Sequence, residues 1–291
     1  MRPHALTVFG ISGRMGQSLI RALREEAERA GSERAGSERA GSERAGSERG
    51  EARFELRGAT GSAGSARLGL DAAADGPATG VLITADPAAA LKGAAVAVDF
   101  SLGSAVASHA QACVRGSVPL LVGATGFDAL AKAELALAAK SIAVLIAPNT
   151  SVGVAVLNEL TAAASRALGS LYDVDISEAH HRQKRDAPSG TALNLGETIA
   201  KSRDVALNEV AVFERHGMET PRRAGSIGFS VVRAGDIVGE HTVTFTGSGE
   251  RLEITHRATD RITFARGALR AAAWLIGRPA GLYDMKDVLG L

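Results

Sequence analysis

The chain has 291 residues, 45% hydrophobic and 22% charged, enough apolar material for a large core in the ordinary balance of a globular protein. Lysine and arginine number 33 against 32 acidic residues, so a formal net charge of +1 provides no bulk field to select nucleic acid or a membrane surface. Cys113 is the only cysteine, which excludes an internal disulfide and fits a reducing compartment; no apolar run approaches the roughly 20 residues of a bilayer span, and the first residues lack the blocks of a signal peptide. These features predict a cytoplasmic protein.

Residues 5–9 are a short β-favouring run that feeds directly into Gly10-Ile11-Ser12-Gly13-Arg14-Met15-Gly16, after which Leu19, Ile20 and Leu23 recur at helical spacing. Strand, glycine turn and helix together have the physics of a dinucleotide site. Glycines let the backbone approach a pyrophosphate, and the free amides of the helix start attract its charge. Purely steric strand-to-helix turns use glycine too, so the motif alone does not decide.

Residues 30–49 are four copies of Ala-Gly-Ser-Glu-Arg. A glycine and a serine in every copy weaken a helix, and the five-residue period places no apolar stripe. The stretch reads as a flexible insertion between the first helix and the second strand.

Short β-favouring runs follow at 54–60, 80–84, 94–100, 118–123 and 142–147, with alanine-rich helical stretches between several of them, notably 104–114 and 128–140. Alternating strand and helix predicts a parallel, doubly wound sheet, in which ligands sit beyond the carboxyl ends of the strands. Asp99-Phe100-Ser101, Gly123-Ala124-Thr125-Gly126-Phe127 and Ala147-Pro148-Asn149-Thr150 follow three strands and so are expected to line one cleft. Each on its own also reads as a plain turn.

A dinucleotide site usually carries an acidic residue about 20 residues past the glycines. Position 61 lies 45 residues past Gly16, of which the repeat accounts for 20, leaving 25. Gly61 and Ser62 stand there, with no carboxylate to repel a ribose 2′-phosphate, and Ser62 with Arg57 or Arg67 is placed to meet one.

From position 151 the pattern changes to a helix at 152–168, a strand at 172–178, and then Glu-Ala-His-His-Arg-Gln-Lys-Arg-Asp-Ala-Pro-Ser-Gly-Thr at 178–191 before a helix at 192–202. Strand-like segments at 225–233, 239–246 and 251–256, joined by short glycine turns, imply antiparallel pairing of consecutive strands. They predict a second, α+β domain with a mixed open sheet, one face under helices and the other available to a second subunit. A helix at 267–276 and the segment 282–291 return to the first domain. The predicted division is 1–150 with 262–291, and 151–261.

The 178–191 stretch is the candidate reacting centre. His180, His181 and Lys184 at a strand end can hold acidic ligands and exchange protons, and the amides of Ser189, Gly190 and Thr191 sit at a helix start that favours a carboxylate or phosphate. Pro188 suits the first helical position, and Asp186 can orient a base or balance Lys184. A solvated basic loop before a capped helix explains much of the same composition. Two adjacent histidines on an extended chain point apart, which disfavours a metal site.

The stretch resembles the signature E-[AL]-H-H-x-x-K-x-D-A-P-S-G-T-A of the 4-hydroxy-tetrahydrodipicolinate reductase (dihydrodipicolinate reductase) family. Further similarity runs through G-x-x-G-R-M-G at Gly10, D-F-S at Asp99, G-x-T-G-F at Gly123, the run from Asn149 to Val154, R-H-G at Arg215 and G-D-I-V-G-E-H-T-V at Gly235. The resemblance implies a Rossmann-like dinucleotide-binding domain and an α+β domain that builds a homotetramer. It implies hydride transfer from NADH or NADPH to a small dicarboxylate substrate, giving tetrahydrodipicolinate with loss of water, and no nucleic-acid or membrane partner. Gly10, Ile11, Ser12, Gly13, Arg14 and Met15 would hold the pyrophosphate, Gly61 and Ser62 the adenosine ribose, and Gly123, Ala124, Thr125, Ala147, Pro148, Asn149 and Thr150 the nicotinamide end. His180 would carry a proton, Lys184 would donate one to complete reduction, and His181, Ser189, Gly190 and Thr191 would contact substrate. The chain departs from the family pattern at Gly61, Ser62 and Ala124. A non-catalytic nucleotide sensor of the same fold and a reductase of another dicarboxylate imine are the competing expectations.

Overall fold

The computed structural model describes residues 2–40, 53–217 and 219–291. First in chain order come β1 (His4–Phe9), α1 (Arg14–Ala40), β2 (Phe54–Thr60), β3 (Ile83–Thr84), α2 (Pro87–Ala90), β4 (Val96–Asp99), α3 (Val106–Gly116), β5 (Leu120–Val122), α4 (Ala129–Ala138) and β6 (Ala143–Ile146). Next are α5 (Val152–Leu168), β7 (Asp173–His180), α6 (Gly190–Ser202), α7 (Leu207–Val210), β8 (Ala211–Val212), β9 (Ile227–Arg233), β10 (Gly239–Thr246) and β11 (Arg251–Ala258). The chain ends with α8 (Ile262–Leu275), β12 (Gly281–Tyr283) and α9 (Met285–Leu289). These elements form two compact units, one of the residues up to Ser151 together with Ile262–Leu291, the other Val152–Arg261. Among the described residues no helix is long and apolar enough to cross a membrane.

The first unit is built on a seven-stranded sheet in the order β12-β6-β5-β4-β1-β2-β3. Every ladder in it is parallel. Because helices cover both faces of such a sheet, its central strands are apolar throughout instead of alternating; the last four residues of β1 and all of β4 are buried. The chain proceeds outward from β1 to β3, then restarts at β4 on the other side of β1. That reversal puts the carboxyl ends of β1 and β4 at the switch point, where ligands of open α/β sheets bind.

One local difference from the sequence reading concerns this unit. Helix α1 continues to Ala40, through the first copies of the repeat. Alanine, glutamate and arginine are good helix formers, and lengthening an existing helix needs no new nucleus. The rest of the expected insertion, 41–49, lies outside the described residues.

The second unit carries a five-stranded mixed sheet in the order β11-β10-β7-β9-β8. β10 pairs antiparallel with both β11 and β7, whereas β9 runs parallel to β7. Consecutive strands β9 and β10 therefore do not pair, contrary to the sequence expectation. They flank β7, and their short connection passes over its carboxyl end, where Ala234 N donates to His180 O (2.9 Å). In β7 the alternating residues Val174, Ile176, Glu178 and His180 are all buried on one face. Val174 and Ile176 join Val243 and Phe245 of β10, Ile227 and Phe229 of β9, and Leu195 and Ile199 of α6 in an apolar core. Towards the carboxyl end of β7 the same buried face changes from apolar to ionisable.

Candidate active site

In the first unit, Gly10 ends β1 with φ +77°, and a Cβ there would lie 2.8 Å from Phe100 O and from Ser101 N. Only glycine satisfies both the left-handed backbone and that contact. Ser12 Oγ is buried without a hydrogen-bond partner in the same turn, at the start of α1, whose first amides lack partners within the helix. A bare backbone, an orphaned hydroxyl and a helix start are the donor set that a pyrophosphate needs.

The loop after β4 is braced against this turn by a pair that the sequence reading did not assign. Asp99, fully buried, accepts from Ser101 N (2.8 Å) and from His109 Nδ1 (2.8 Å), and the His109 ring stacks on Phe9 at 4.2 Å. A histidine one helix later is an ordinary surface residue to a sequence reader; only the fold brings it under Asp99.

The other expected dinucleotide residues divide by what their groups already do. Gly123 N donates to Asp99 O and Ala147 N to Val122 O (each 2.9 Å), which fixes these loop starts to the sheet. Thr125 and Pro148 are exposed. Asn149 Oδ1 accepts from Ser151 N (2.9 Å), and the buried Thr150 donates its hydroxyl to Phe264 O (2.7 Å). Ala124 packs in the apolar core, so the missing hydroxyl of this loop is not missing from its open face. Gly61 is tied by its amide to Thr84 O (3.0 Å), with Ser62 exposed beside it. Arg57 and Arg67 both have partners within the chain. Arg57 lies in mid-strand paired with Glu55 (3.5 Å), and Arg67 spends Nη2 on the carbonyls of Asp71 and Ala73 (2.7 Å each). Arg14 and Gly13 are exposed, Met15 is half-buried and Ile11 is buried.

In the second unit the ionisable end of β7 centres on Glu178, whose side chain is 1% exposed. Its Oε2 accepts from His180 Nδ1 (2.5 Å) and Arg233 Nη1 (2.8 Å), and its Oε1 from Arg233 Nη2 (2.8 Å) and Ser189 N (2.9 Å). Burial would raise this carboxyl, but the bonds from Arg233, His180 and the Ser189 amide outweigh it and hold Glu178 below the usual glutamate range. Burial lowers His180, against the pull of Glu178, and the charges of Lys184 and Arg233 lower it further. His180 is therefore neutral at neutral pH.

His180 Nε2 lies beside Gly239, where an added Cβ would be 3.1 Å away. His241 meets its ring edge-on at 5.1 Å between centroids. Burial, with the neighbouring His180, pushes His241 down to about 4; its Nδ1 is buried and unpartnered, and its Nε2 bonds Ser189 Oγ (3.0 Å). Lys184 Nζ pairs with Asp186 (2.9 Å), the balancing role expected of that aspartate. His181 is half-buried in the turn that Lys184 N closes on His181 O (3.0 Å).

One expectation about the Pro-Ser-Gly-Thr turn is corrected. Pro188 does not begin α6: Ser189 is its N-cap, accepting from Ala192 N (3.2 Å), and the Ala187–Pro188 peptide is cis. The Ser189 amide donates to Glu178, and its hydroxyl accepts from Ala192 N and bonds His241 Nε2. Gly190, exposed with nothing near the position of a Cβ, begins α6 and is followed by the half-buried Thr191.

Elsewhere, burial and the nearby Asp99 raise the Cys113 thiol, so it stays protonated and inert. Among the described residues no cluster of three or more histidine, cysteine or carboxylate side chains is arranged to hold a metal ion.

In the sequence Glu178 is only the first letter of a motif, and Arg233, His241 and Gly239 carry no assigned role. A signal was present: in V-D-I-S-E-A-H and H-T-V-T-F the period of two puts Glu178, His180 and His241 on the core face with valines, isoleucine and phenylalanine.

Comparison with known proteins gives two adjoining family matches, "Dihydrodipicolinate reductase, N-terminus" over residues 4–150 and "Dihydrodipicolinate reductase, C-terminus" over residues 153–289. The 4-hydroxy-tetrahydrodipicolinate reductase of Bordetella parapertussis is 47% identical over 290 residues, covering 99% of this chain and 98% of that protein. That of Anaeromyxobacter dehalogenans is 46% identical over 288 residues, with 98% and 97% covered. Among solved structures, dipicolinate-bound dihydrodipicolinate reductase from Paenisporosarcina sp. TG-14 superimposes with a TM-score of 0.67 at 19% identity, covering 97% of this chain and 98% of that one, a likeness of fold.

Proposed function

The chain belongs to the dihydrodipicolinate reductase family, nicotinamide-dinucleotide-dependent oxidoreductases, and from that premise we propose that it reduces 4-hydroxy-tetrahydrodipicolinate to tetrahydrodipicolinate with loss of water, in lysine and diaminopimelate synthesis. The first unit is the dinucleotide-binding domain and the second the substrate and oligomerisation domain. When bound, the reduced dinucleotide supplies the hydride. Residues 10–15 would hold its pyrophosphate, and the orphaned Ser12 Oγ and bare Gly10 backbone fit that group. Gly61 and Ser62 border the ribose, and the loops at 123–125 and 147–150 the nicotinamide, chiefly through backbone groups.

The observation that carries the reading is a neutral, buried His180 and a lysine beside an open helix start, in one family motif. Departure of the substrate hydroxyl as water needs a proton, and so does the ring after it receives hydride. The neutral His180 ring takes at Nε2 the ring proton released in the dehydration and passes it to the departing hydroxyl, and Lys184 Nζ donates the proton that completes reduction. The helix start at the exposed Gly190, with Thr191 and His181, holds a substrate carboxylate.

NADPH is used at least as well as NADH, since position 61 carries no carboxylate. The enzyme works in the cytoplasm as a homotetramer, a reading supported by the family resemblance; light scattering of the purified protein checks the assembly.

The test is oxidation of NADH and of NADPH by purified protein supplied with enzymatically generated substrate. Lys184→Ala should lower kcat by roughly 10²- to 10⁴-fold with little change in dinucleotide KM. Turnover equal to wild type in that variant removes Lys184 as the donor. Dinucleotide binding without turnover in the wild-type protein would instead select a sensor.

A further inference from the structure

We propose that Glu178 is a positioning residue that fixes His180 in the Nδ1–H tautomer and ties that ring to the substrate-holding turn, with Arg233 keeping the carboxylate from turning His180 into a permanent cation. The inference rests on the reading of His180 as a proton carrier and adds what makes it one.

At position 178 the buried alternation of β7 calls for an apolar side chain, and a carboxylate there is costly unless fully paired. It is fully paired, with four donors divided evenly between its two oxygens. An ionised carboxylate only accepts, so the hydrogen between Glu178 and His180 belongs to Nδ1. The unprotonated nitrogen is then Nε2, beside Gly239, which has no side chain.

A lone buried carboxylate in this position would hold His180 protonated. Arg233 cancels that charge from the adjacent strand, in ladder register with His180, and is itself fixed by Val232 O (2.8 Å) and Asp186 O (2.5 Å). The charged and titratable groups facing His180 are Glu178 on its own strand, Arg233 on β9, His241 on β10 and Lys184 in the loop. Burial and the charges of Lys184 and Arg233 oppose the cation and only Glu178 favours it, which is why the ring stays neutral. Since the same carboxylate receives the Ser189 amide, the proton carrier and the helix start share one anchor.

The experiment uses Glu178→Gln and Glu178→Asp in the full-length protein. Nitrogen-15 NMR of the free protein, with the His180 signal assigned by its loss in His180→Asn, reads the tautomer independently of turnover. Wild type and Glu178→Asp should show a protonated Nδ1. Glu178→Gln, whose amide NH₂ can donate to Nδ1, should move the hydrogen to Nε2. Its kcat should fall roughly 10²- to 10⁴-fold at unchanged dinucleotide KM, with partial rescue in Glu178→Asp. In Glu178→Gln the only influence raising His180 is gone, so the His180 limb of the kcat profile moves to lower pH. An unmoved Nδ1 hydrogen in Glu178→Gln, or a protonated Nε2 in wild type, overturns the proposal. An inverted tautomer with wild-type kcat upholds the hold of Glu178 on the ring and overturns His180 as the proton carrier.

Discussion

Replacing Arg233 by methionine keeps much of the side-chain volume and removes the charge that compensates Glu178. The Glu178 side chain is 1% exposed and that of Arg233 17%, so the pair is shielded from solvent and counts as buried. Breaking a buried pair from one side costs about 3–5 kcal/mol, and the low end applies because His180 and the Ser189 amide still bond the carboxylate. At about 2–4 °C per kcal/mol for a chain of this class, the melting temperature should fall by about 6–12 °C. The pH dependence has a definite sign. In the wild type the folded Glu178 lies below its ordinary value of 4.5, so its stabilisation is present above that pH and lost as pH falls through the folded value. In Arg233→Met, burial is no longer outweighed and Glu178 rises, so the variant loses stability as pH rises above 4.5. The deficit relative to wild type should therefore be larger at pH 8 than at pH 5, as measured by thermal melts at both. Arg233→Met/Glu178→Gln, with no charge left buried, should recover at least half of the loss. A single variant within 2 °C of wild type at pH 8, or a deficit that grows towards acid, would refute the pairing as described.

Three further outcomes follow from other residues. Folding holds His241 near 4 against an ordinary 6.5, so the unfolded chain binds a proton that the folded one refuses; about 3 kcal/mol of stability is complete above pH 6.5 and lost as pH falls towards 4. Urea melts of His241→Gln should show a flatter dependence across that window, and an unchanged slope would place the acid sensitivity elsewhere. Gly239→Ala puts a methyl 3.1 Å from His180 Nε2 and should lower kcat by roughly tenfold or more without altering dinucleotide KM; full turnover would show that Nε2 is not the working nitrogen. In Gly61→Asp the new Cβ meets Ile83 Cγ2 at 3.1 Å and Ser65 Cβ at 3.5 Å, side-chain atoms that can give way. Its carboxylate should repel a 2′-phosphate and shift the kcat/KM ratio towards NADH by about tenfold, which corresponds to about 1.4 kcal/mol; an unmoved ratio would mean that position 61 does not border the ribose.

By itself the sequence determined the succession of strands and helices, the parallel sheet of the first unit, the glycine turn at its switch point and the His180–Lys184 motif. Each of these is written locally: periodicity and turn residues act over a few positions, and the motif supplies its own proton donors. What depends on pairing across distance was decided only by the tertiary structure. Whether β9 lies beside β10 or beside β7 is a matter of sheet order, which no local period encodes, and that order sets Arg233 against Glu178 and lays the β9–β10 connection over His180. Ser189 looked like a ligand residue because helix-start amides attract anions, but its amide already has an anion, the buried Glu178, eleven residues earlier in the chain. The charges of Arg57 and Arg67 are visible in the sequence, whereas their partners Glu55 and the carbonyls of Asp71 and Ala73 are not. The physical reason is common to all of these: a sequence shows which groups can bond or carry charge, and the fold determines which of those capacities are already spent.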